Sequence, residues 1–196
     1  MFCKDILDYF FSKNNIFSLF SAHEITHSFD QDGMMFNSDG FFEHLENNGA
    51  QNIFDNNLKC LTQQYMNFVE EKIGSITNPT ITNKTIDEII SDLGGLQIAE
   101  MTFENWLKNN DLKDQKLTDL EDYNDHFQLF YISQTLPWCS LEFNNTDYLE
   151  KHVKTQVHPL HEFRIRGPLS NSLKFAETWN CSVKSTMNPQ EKCRIW

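Results

Sequence analysis

The sequence predicts a mainly α-helical domain on two observations. Apolar residues recur mostly at steps of three and four, most clearly over 41–69, which places them on one face of a helix. Alternation of apolar and polar residues, the pattern of a half-buried β-strand, is rare. The 196 residues fit one domain of ordinary size, and 17 phenylalanines can supply a buried core.

The first half of the chain predicts two helical regions. One helix is expected over 15–30, closed near Gly33, because glycine suits a left-handed helix cap. A helix or a pair of helices is expected over 41–69. The segment 74–83 contains Pro79 and repeated Thr and Asn, so it is predicted to be a loop.

The second half predicts three further helices. One covers 85–107, and another covers 123–136 and stops at Pro137, which cannot continue a helix. Beyond Pro159 the pattern is looser and predicts only one more helix, over 171–179.

The net charge of −12 argues against binding to nucleic acid or to anionic lipid, although a local cationic site is compatible with it. The apolar stretch 6–20 is interrupted by Asp8, Lys13 and Asn14, so it lacks the ~18–20 clean apolar residues of a membrane span. It also has no basic start and no small-residue cleavage site. No nucleic-acid partner, membrane segment or signal peptide is therefore expected in this chain.

The cysteines and the N-x-S/T triplets give only weak indications of the compartment in which the protein works. Five cysteines occur, at Cys3, Cys60, Cys139, Cys181 and Cys193. They form no CxxC pair, which argues against a thiolate zinc site, and their odd number leaves at least one without a partner in this chain. N-x-S/T triplets at Asn83, Asn144 and Asn180 fit a glycosylated, secreted surface, but an Asn-rich sequence also produces such triplets by chance.

The strongest chemical signal is an HExxH motif at His23, Glu24 and His27, inside the first predicted helix. Residues four apart on a helix lie about 40° apart in azimuth and about 6 Å apart in height, so both imidazoles can reach one metal ion. Glu24 then lies beside the metal, where a base can take a proton from water. Such a string also arises by chance in on the order of one in a hundred chains of this length, so the motif alone is not decisive.

A third ligand decides the class of metal site. A metzincin would need Gly and His at positions that hold Asp30 and Gly33, so that class is excluded. Glu88 is the candidate, and Asp92, one turn later, could fix the tautomer of a ligating histidine. However, Thr85 and Glu88 also match a helix capping box, and the residues alone favour that cap over a ligand.

Two glycines follow Asp92 directly. Gly94 and Gly95 each cost roughly 1 kcal/mol relative to Ala inside a helix. Their expected purpose is the close approach of another backbone. A metal site shared between this helix and the HExxH helix would require that approach.

Four segments together resemble a known family. They are HEITHSFD at 23–30, EIISDLGG at 88–95, the pair Phe163-Arg164, and the terminal 187–196 with its Met-Asn-Pro and Cys-Arg-Ile-Trp strings. They resemble the C-terminal catalytic part of neprilysin and the endothelin-converting enzymes, from about residue 16 to the end. Residues 1–15 do not match. The resemblance implies an incomplete, thermolysin-like (zincin) helical catalytic domain over 16–196.

The resemblance also implies a set of roles. One Zn²⁺ ion is held by His23, His27 and Glu88, with Glu24 as the catalytic base and Asp92 supporting the site. His158 and Arg164 stabilise the transition state and bind substrate, and Trp138 walls a pocket for an apolar residue after the scissile bond. From the residues alone, a His before Pro159 is more often a turn residue, and Trp138 is more often part of the core. A histidine can nevertheless donate to an oxyanion, and the planar guanidinium of an arginine can hold a carbonyl or carboxylate, as the implied roles require.

The departures from the family predict a fragment. Relatives carry a large N-terminal region, normally behind a membrane anchor, and an Asn-Ala-aromatic segment that grips the substrate, and neither is found here. Ser28 replaces the Gly or Ala that is usual in the family, and Leu93 replaces the common Asn. Both substitutions are expected to be tolerated. The resemblance implies that Cys60 pairs with Cys193, whereas Cys139 and Cys181 pair with the missing region.

The expected function is therefore that of a zinc endopeptidase acting on peptides through an activated water molecule. The alternative is a zinc-binding paralogue that does not hydrolyse, or a truncated peptide-binding module. An extracellular or cell-surface location is implied by resemblance.

Overall fold

The structure is a computed structural model that describes residues 15–42, 49–74, 83–110, 125–139 and 145–195. These ranges contain seven α-helices: α1 Asn15–Thr26, α2 Gly49–Ile73, α3 Asn83–Asn109, α4 His126–Thr135, α5 Thr146–Thr155, α6 His161–Asn171 and α7 Leu173–Thr178. Short 3₁₀ turns follow α1 and α4. In the described ranges, β pairing is confined to two isolated bridges, Phe36 with Phe42 and Ser185 with Asn188. The predicted mainly helical class is confirmed.

The first two predicted helices needed correction at their ends. α1 stops at Thr26, and Gly33 is not a left-handed cap but the start of the 3₁₀ turn Gly33–Met35. Gly33 is needed for space, because a Cβ there would collide with the carbonyl oxygen of His27. α2 is one helix and begins only at Gly49, whereas Phe42 pairs with Phe36. Gly74 ends α2 in the left-handed conformation, with a φ of +77°.

The third, fourth and last predicted helices correspond to α3, α4 and α7. Two helices, α5 and α6, were missed. α5 has an Asn145 cap that accepts hydrogen bonds from the next turn, a signal that sequence analysis could have used. α6 was hidden by Pro168, which lies inside the helix; burial of Phe163 and Leu169 nevertheless holds that segment in place. Most of the predicted loop 74–83, and residues 1–14, lie outside the described part of the chain.

Two apolar clusters organise the molecule. One packs α2 and α3 against α5, α6 and the C-terminal segment, around Tyr65, Ile90, Phe163 and Ile195. The other joins α1, α3, α4 and α6 around Leu96, Phe103 and Phe130. Both α3 and α6 contribute to both clusters, and these two helices place the elements of the site.

The C-terminal segment is tied back to α2 and α6. A disulfide joins Cys60 to Cys193, with their Cα atoms 5.6 Å apart, which confirms the expected pairing. The side chain of Asn171 accepts a hydrogen bond from the Cys193 amide at 2.8 Å, and that of Asn57 donates to the Ile195 carbonyl at 3.0 Å. Cys139 and Cys181 are free thiols. Among the described helices, none is long and apolar enough to cross a membrane.

Candidate metal centre

The close packing of α1 against α3 creates the centre. α1 and α3 pack together at Gly95, where a Cβ would lie only 3.0 Å from the backbone nitrogen of His23. This is the close backbone approach that the glycine pair predicted. It lets side chains from the start of α3 reach the last turn of α1.

The two histidines of the motif point at one place. His23 and His27 stand one turn apart on α1 and its 3₁₀ extension, and their Nε2 atoms are 3.2 Å apart. Glu88 comes from α3, with Oε2 at 3.4 Å from the Nε2 of His23 and Oε1 at 3.7 Å from that of His27. One ligand atom from each of the three residues lies within 4.8 Å of the others.

These separations suit zinc. Ligand atoms about 2.0–2.2 Å from a tetrahedral ion are about 3.3–3.6 Å apart. The two Nε2 atoms are 3.2 Å apart, and the Glu88 carboxylate approaches His23 to 3.4 Å through Oε2 and His27 to 3.7 Å through Oε1, all close to that range. The donor set, two imidazoles and one carboxylate, also leaves the fourth position of a catalytic site open.

Two carboxylates hold the outer nitrogens of the imidazoles. The Nδ1–H of His23 donates to Asp92 at 3.0 Å, and that of His27 donates to Asp30 at 2.7 Å. In the neutral form of each imidazole, Nε2 then carries the lone pair that can bind a ligand. Asp30 was missed at the sequence level as a supporting residue, although its position three residues after His27 is a usable signal. Its other oxygen accepts from the Gly33 amide at 2.7 Å, which fixes the carboxylate.

The electrostatics of the centre favour positive charge. Burial lowers the pKa of His23, but hydrogen bonds to Asp92 and Glu88 outweigh burial and raise that pKa to about 9. Burial raises the pKa of Glu88, but the hydrogen bond from His23 and the nearby positive groups hold it below its ordinary value. The buried carboxylates thus create a site suited to a cation.

Arg164 of α6 neutralises part of this negative charge. Its Nε donates to Asp92 Oδ2 at 2.8 Å and its Nη2 to Asp92 Oδ1 at 2.7 Å, a bidentate pair. Nη2 also lies 3.5 Å from Glu88. The side chain of Arg164 is only 7% exposed, so this pair is shielded from water.

His158 stands at the open side of the centre. Its Nε2 lies 3.3 Å from Glu88 Oε2, while 57% of its side chain is exposed. Glu24, next to His23 on α1, is exposed as well. Both side chains are therefore accessible from solvent.

Comparison with known proteins agrees with this geometry. A model of peptidase family M13 matches residues 14–195, nearly the whole chain. The chain belongs to peptidase family M13.

Relatives within this family include enzymes of known name. The M13 chain is 37% identical over 175 residues to neprilysin of Oryctolagus cuniculus and 33% identical over 176 residues to endothelin-converting enzyme 1 of Bos taurus. Each match covers 89% of the chain but 22% of the relative. The chain thus spans about a fifth of the length of these relatives.

Solved structures share the fold. The zinc metalloprotease Zmp1 of Mycobacterium tuberculosis, in complex with an inhibitor, superposes with a TM-score of 0.76 at 21% identity, over 94% of this chain and 28% of that one. A chain of the Haemonchus galactose-containing glycoprotein complex gives a TM-score of 0.69 at 26% identity, over 89% of this chain and 28% of that one.

The M13 chain brings most of the predicted site residues together. Those in direct contact around the centre are His23, His27, Glu88, Asp92, His158 and Arg164. The capping-box interpretation of Glu88 is wrong, because α3 begins at Asn83, before Thr85, and the carboxylate lies against the histidines of α1. Trp138 is half-buried rather than core, and its ring lies 4.0 Å from the Arg164 guanidinium.

Proposed function

We propose that His23, His27 and Glu88 bind one catalytic zinc ion and that this chain is the catalytic part of a longer zinc endopeptidase. The observation that carries the proposal is the convergence of these three donors from two helices, within 4.8 Å. Asp92 and Asp30 support it, because they orient both imidazoles toward the same point. Membership of family M13 supports hydrolysis of peptide bonds.

In this proposal the exposed Glu24 is the general base. A bound zinc ion would lower the pKa of a water molecule and polarise a peptide carbonyl. Glu24 takes the proton from the attacking water and later gives it to the leaving amine. Its place beside His23 and its exposure allow contact with both water and substrate.

His158 and Arg164 are assigned to the substrate. His158 donates to the carbonyl oxygen as that atom gains negative charge, which its exposed position allows. Two nitrogens of Arg164 already bind carboxylates, so contact with a substrate carbonyl or carboxylate falls to Nη1. The half-buried Trp138 offers an apolar wall beside them, as the resemblance implied.

The proposed setting is extracellular or at a cell surface. The disulfide between Cys60 and Cys193 supports it, because such bonds persist in oxidising compartments. Asn180 is exposed, as a glycosylation acceptor must be. The free thiols of Cys139 and Cys181 are proposed to pair with an upstream region of the longer protein, which would complete the peptide-binding cleft.

Zinc content tests the ligand assignment. The purified chain and its Glu88→Ala and Glu24→Gln variants are loaded with zinc, dialysed and analysed by mass spectrometry. We expect about one zinc per chain for the wild type and for Glu24→Gln, and loss of zinc for Glu88→Ala. Glu104→Ala, which removes a partly exposed carboxylate on the same helix, is the control. Full zinc in Glu88→Ala would remove Glu88 from the ligand set.

Peptide cleavage by the longer protein tests the base. Glu24→Gln should keep its zinc and lose turnover by about 10²–10⁴-fold, the usual contribution of general acid–base catalysis. Chelator-sensitive cleavage by the wild type must be measured in parallel. Stoichiometric zinc without any cleavage would favour the non-hydrolytic, peptide-binding alternative.

A further inference from the structure

We infer that Trp138 is a positioning residue of the metal centre, because it holds the guanidinium of Arg164 against Asp92 and thereby fixes the imidazole of His23. The inference rests on the proposed zinc site and assigns Trp138 a role distinct from that of a pocket wall. The contacts form one continuous path from the indole ring to a ligand nitrogen.

The first step of that path is the stack of the guanidinium on the indole. The Cζ of Arg164 lies 4.0 Å from the centre of the Trp138 ring, well inside the range of a cation–π contact. A guanidinium is planar and pairs with both oxygens of a carboxylate only when its plane is correctly oriented. The flat indole face sets that plane.

The indole ring is itself held in place from two sides. Trp138 ends the 3₁₀ turn Leu136–Trp138, whose Pro137 restricts the backbone. The ring of Phe20 on α1 lies 5.9 Å from that of Trp138, and the ring of His161 on α6 lies 5.8 Å from it. Trp138 therefore occupies a defined position between the helix of the motif and the helix of Arg164.

A small cavity lies beside the contact between Trp138 and Arg164. A cavity of about 20 Å³ is lined by Trp138 and Arg164 and by apolar side chains that include Leu19, Leu96 and Ile165. Such a volume holds about one water molecule. Truncating the indole would enlarge this space and give the guanidinium room to turn away from Asp92.

The last step runs through Asp92 to the ligand. Asp92 is 7% exposed and accepts from both Arg164 and the Nδ1–H of His23. A buried carboxylate that loses its charged partner also loses the contact that fixes its position. Movement of Asp92 loosens the hydrogen bond that orients His23. Removing a group that supports a ligand in this way costs about 10–100-fold in metal affinity.

The test compares Trp138→Leu with Trp138→Phe in the full 196-residue chain. Zinc affinity is measured by competition with a chelator, and the visible absorption of the Co²⁺-substituted chain reports ligand geometry. We expect Trp138→Leu to bind zinc about tenfold more weakly, with a changed Co²⁺ spectrum. Trp138→Phe keeps an aromatic face and should stay within about threefold of the wild type. Trp179→Leu, which removes a surface indole outside the path, is the control.

A double-mutant comparison tests the route through Arg164. If Trp138 acts through Arg164, then Trp138→Leu should have no further effect on zinc affinity in an Arg164→Met background. Full, additive loss in that background would overturn the inference. So would a Trp138→Leu variant with wild-type zinc affinity and Co²⁺ spectrum, because a pocket wall alone would alter only substrate binding. A wild-type chain that binds no zinc would overturn the proposed function as well.

Discussion

At the residue scale, the two histidines of the motif are supported differently. His23 is held by Asp92, which comes from another helix, whereas His27 is held by Asp30 from the turn that follows its own helix. The second support is therefore local. It depends on the 3₁₀ turns after α1 and on Gly33, whose amide binds the same carboxylate.

Asp30→Asn tests that local support. We expect about 10–100-fold weaker zinc binding, because an amide holds the Nδ1–H less strongly than a carboxylate and makes Nε2 a poorer donor. Chelator competition gives the affinity. Asp39→Asn, in the exposed segment that follows, should bind zinc like the wild type. Equal affinities for the two variants would show that Asp30 serves only the turn.

At the element scale, the approach of α1 to α3 governs whether the ligands meet. Gly95 lies against the backbone of His23, and because glycine has no side chain the two helices can pack this closely. A second junction lies farther along α3. There the Glu100 carboxylate accepts from Tyr131 of α4 at 2.8 Å and from Ser172, which caps α7, at 2.6 Å.

Gly95→Ala tests the first junction. An alanine would raise helix propensity by about 1 kcal/mol, but overpacking typically costs about 1–3 kcal/mol. The new Cβ faces the backbone of α1, which cannot yield as a flexible side chain does, so we expect lower stability and weaker zinc binding together. Urea unfolding and chelator competition measure the two quantities. Thr102→Ala, at an exposed position of α3, is the matched control. Unchanged zinc affinity would show that α1 shifts without separating the ligands.

Glu100→Gln tests the second junction through pH. Burial raises the pKa of Glu100, and hydrogen bonds from Ser172 and Tyr131 oppose this only in part. A carboxyl whose folded pKa lies above its unfolded value contributes stability that is complete below the unfolded value of 4.5 and is lost as pH rises through the folded pKa.

The glutamine keeps an acceptor for both hydroxyls and does not titrate. The unfolding free energy of the wild type should therefore fall relative to that of Glu100→Gln as pH rises from about 4.5. Urea unfolding at a series of pH values measures the difference between the two proteins, which removes the contribution of the other carboxyls. Parallel curves across that range would contradict the assignment.

At the scale of the whole molecule, the described elements form two cores that share α3 and α6. The C-terminal segment closes the first core with Ile195, and the disulfide holds that segment to α2. The same core contains Phe163, one residue before Arg164 on α6. The tail therefore helps to hold the helix that supports the metal centre.

Replacing both cysteines of the bridge tests this closure. Cys60 and Cys193 are 133 positions apart, and in the chain-entropy model a loop of this size is worth about 4–5 kcal/mol. Urea unfolding of the Cys60→Ala, Cys193→Ala double variant should show a loss of that order. Cys139→Ser removes a free, exposed thiol and should leave stability unchanged. A double variant as stable as the wild type would mean that packing of Ile195 alone holds the tail.

The sequence by itself determined the local parts of this protein. The motif places His23 and His27 on one face of one helix, and Glu88 and Asp92 on one face of another, because helical spacing needs no tertiary context. The helices α2 and α3 and the close backbone approach expected at Gly95 follow from the same local rules. The helical signal failed at α6, where Pro168 reads as a breaker and only burial against α2 shows that the helix persists.

Tertiary structure alone decided which of those groups meet. Thr85 and Glu88 read locally as a cap, and only the packing of α3 on α1 turns the Glu88 carboxylate toward His23. Arg164 binds Asp92, which is 72 positions earlier in the sequence, and helical spacing cannot predict a pairing at that separation. The physical reason is that periodicity specifies the face on which a side chain lies, whereas the partner of that face depends on how whole helices bury their apolar surfaces against one another.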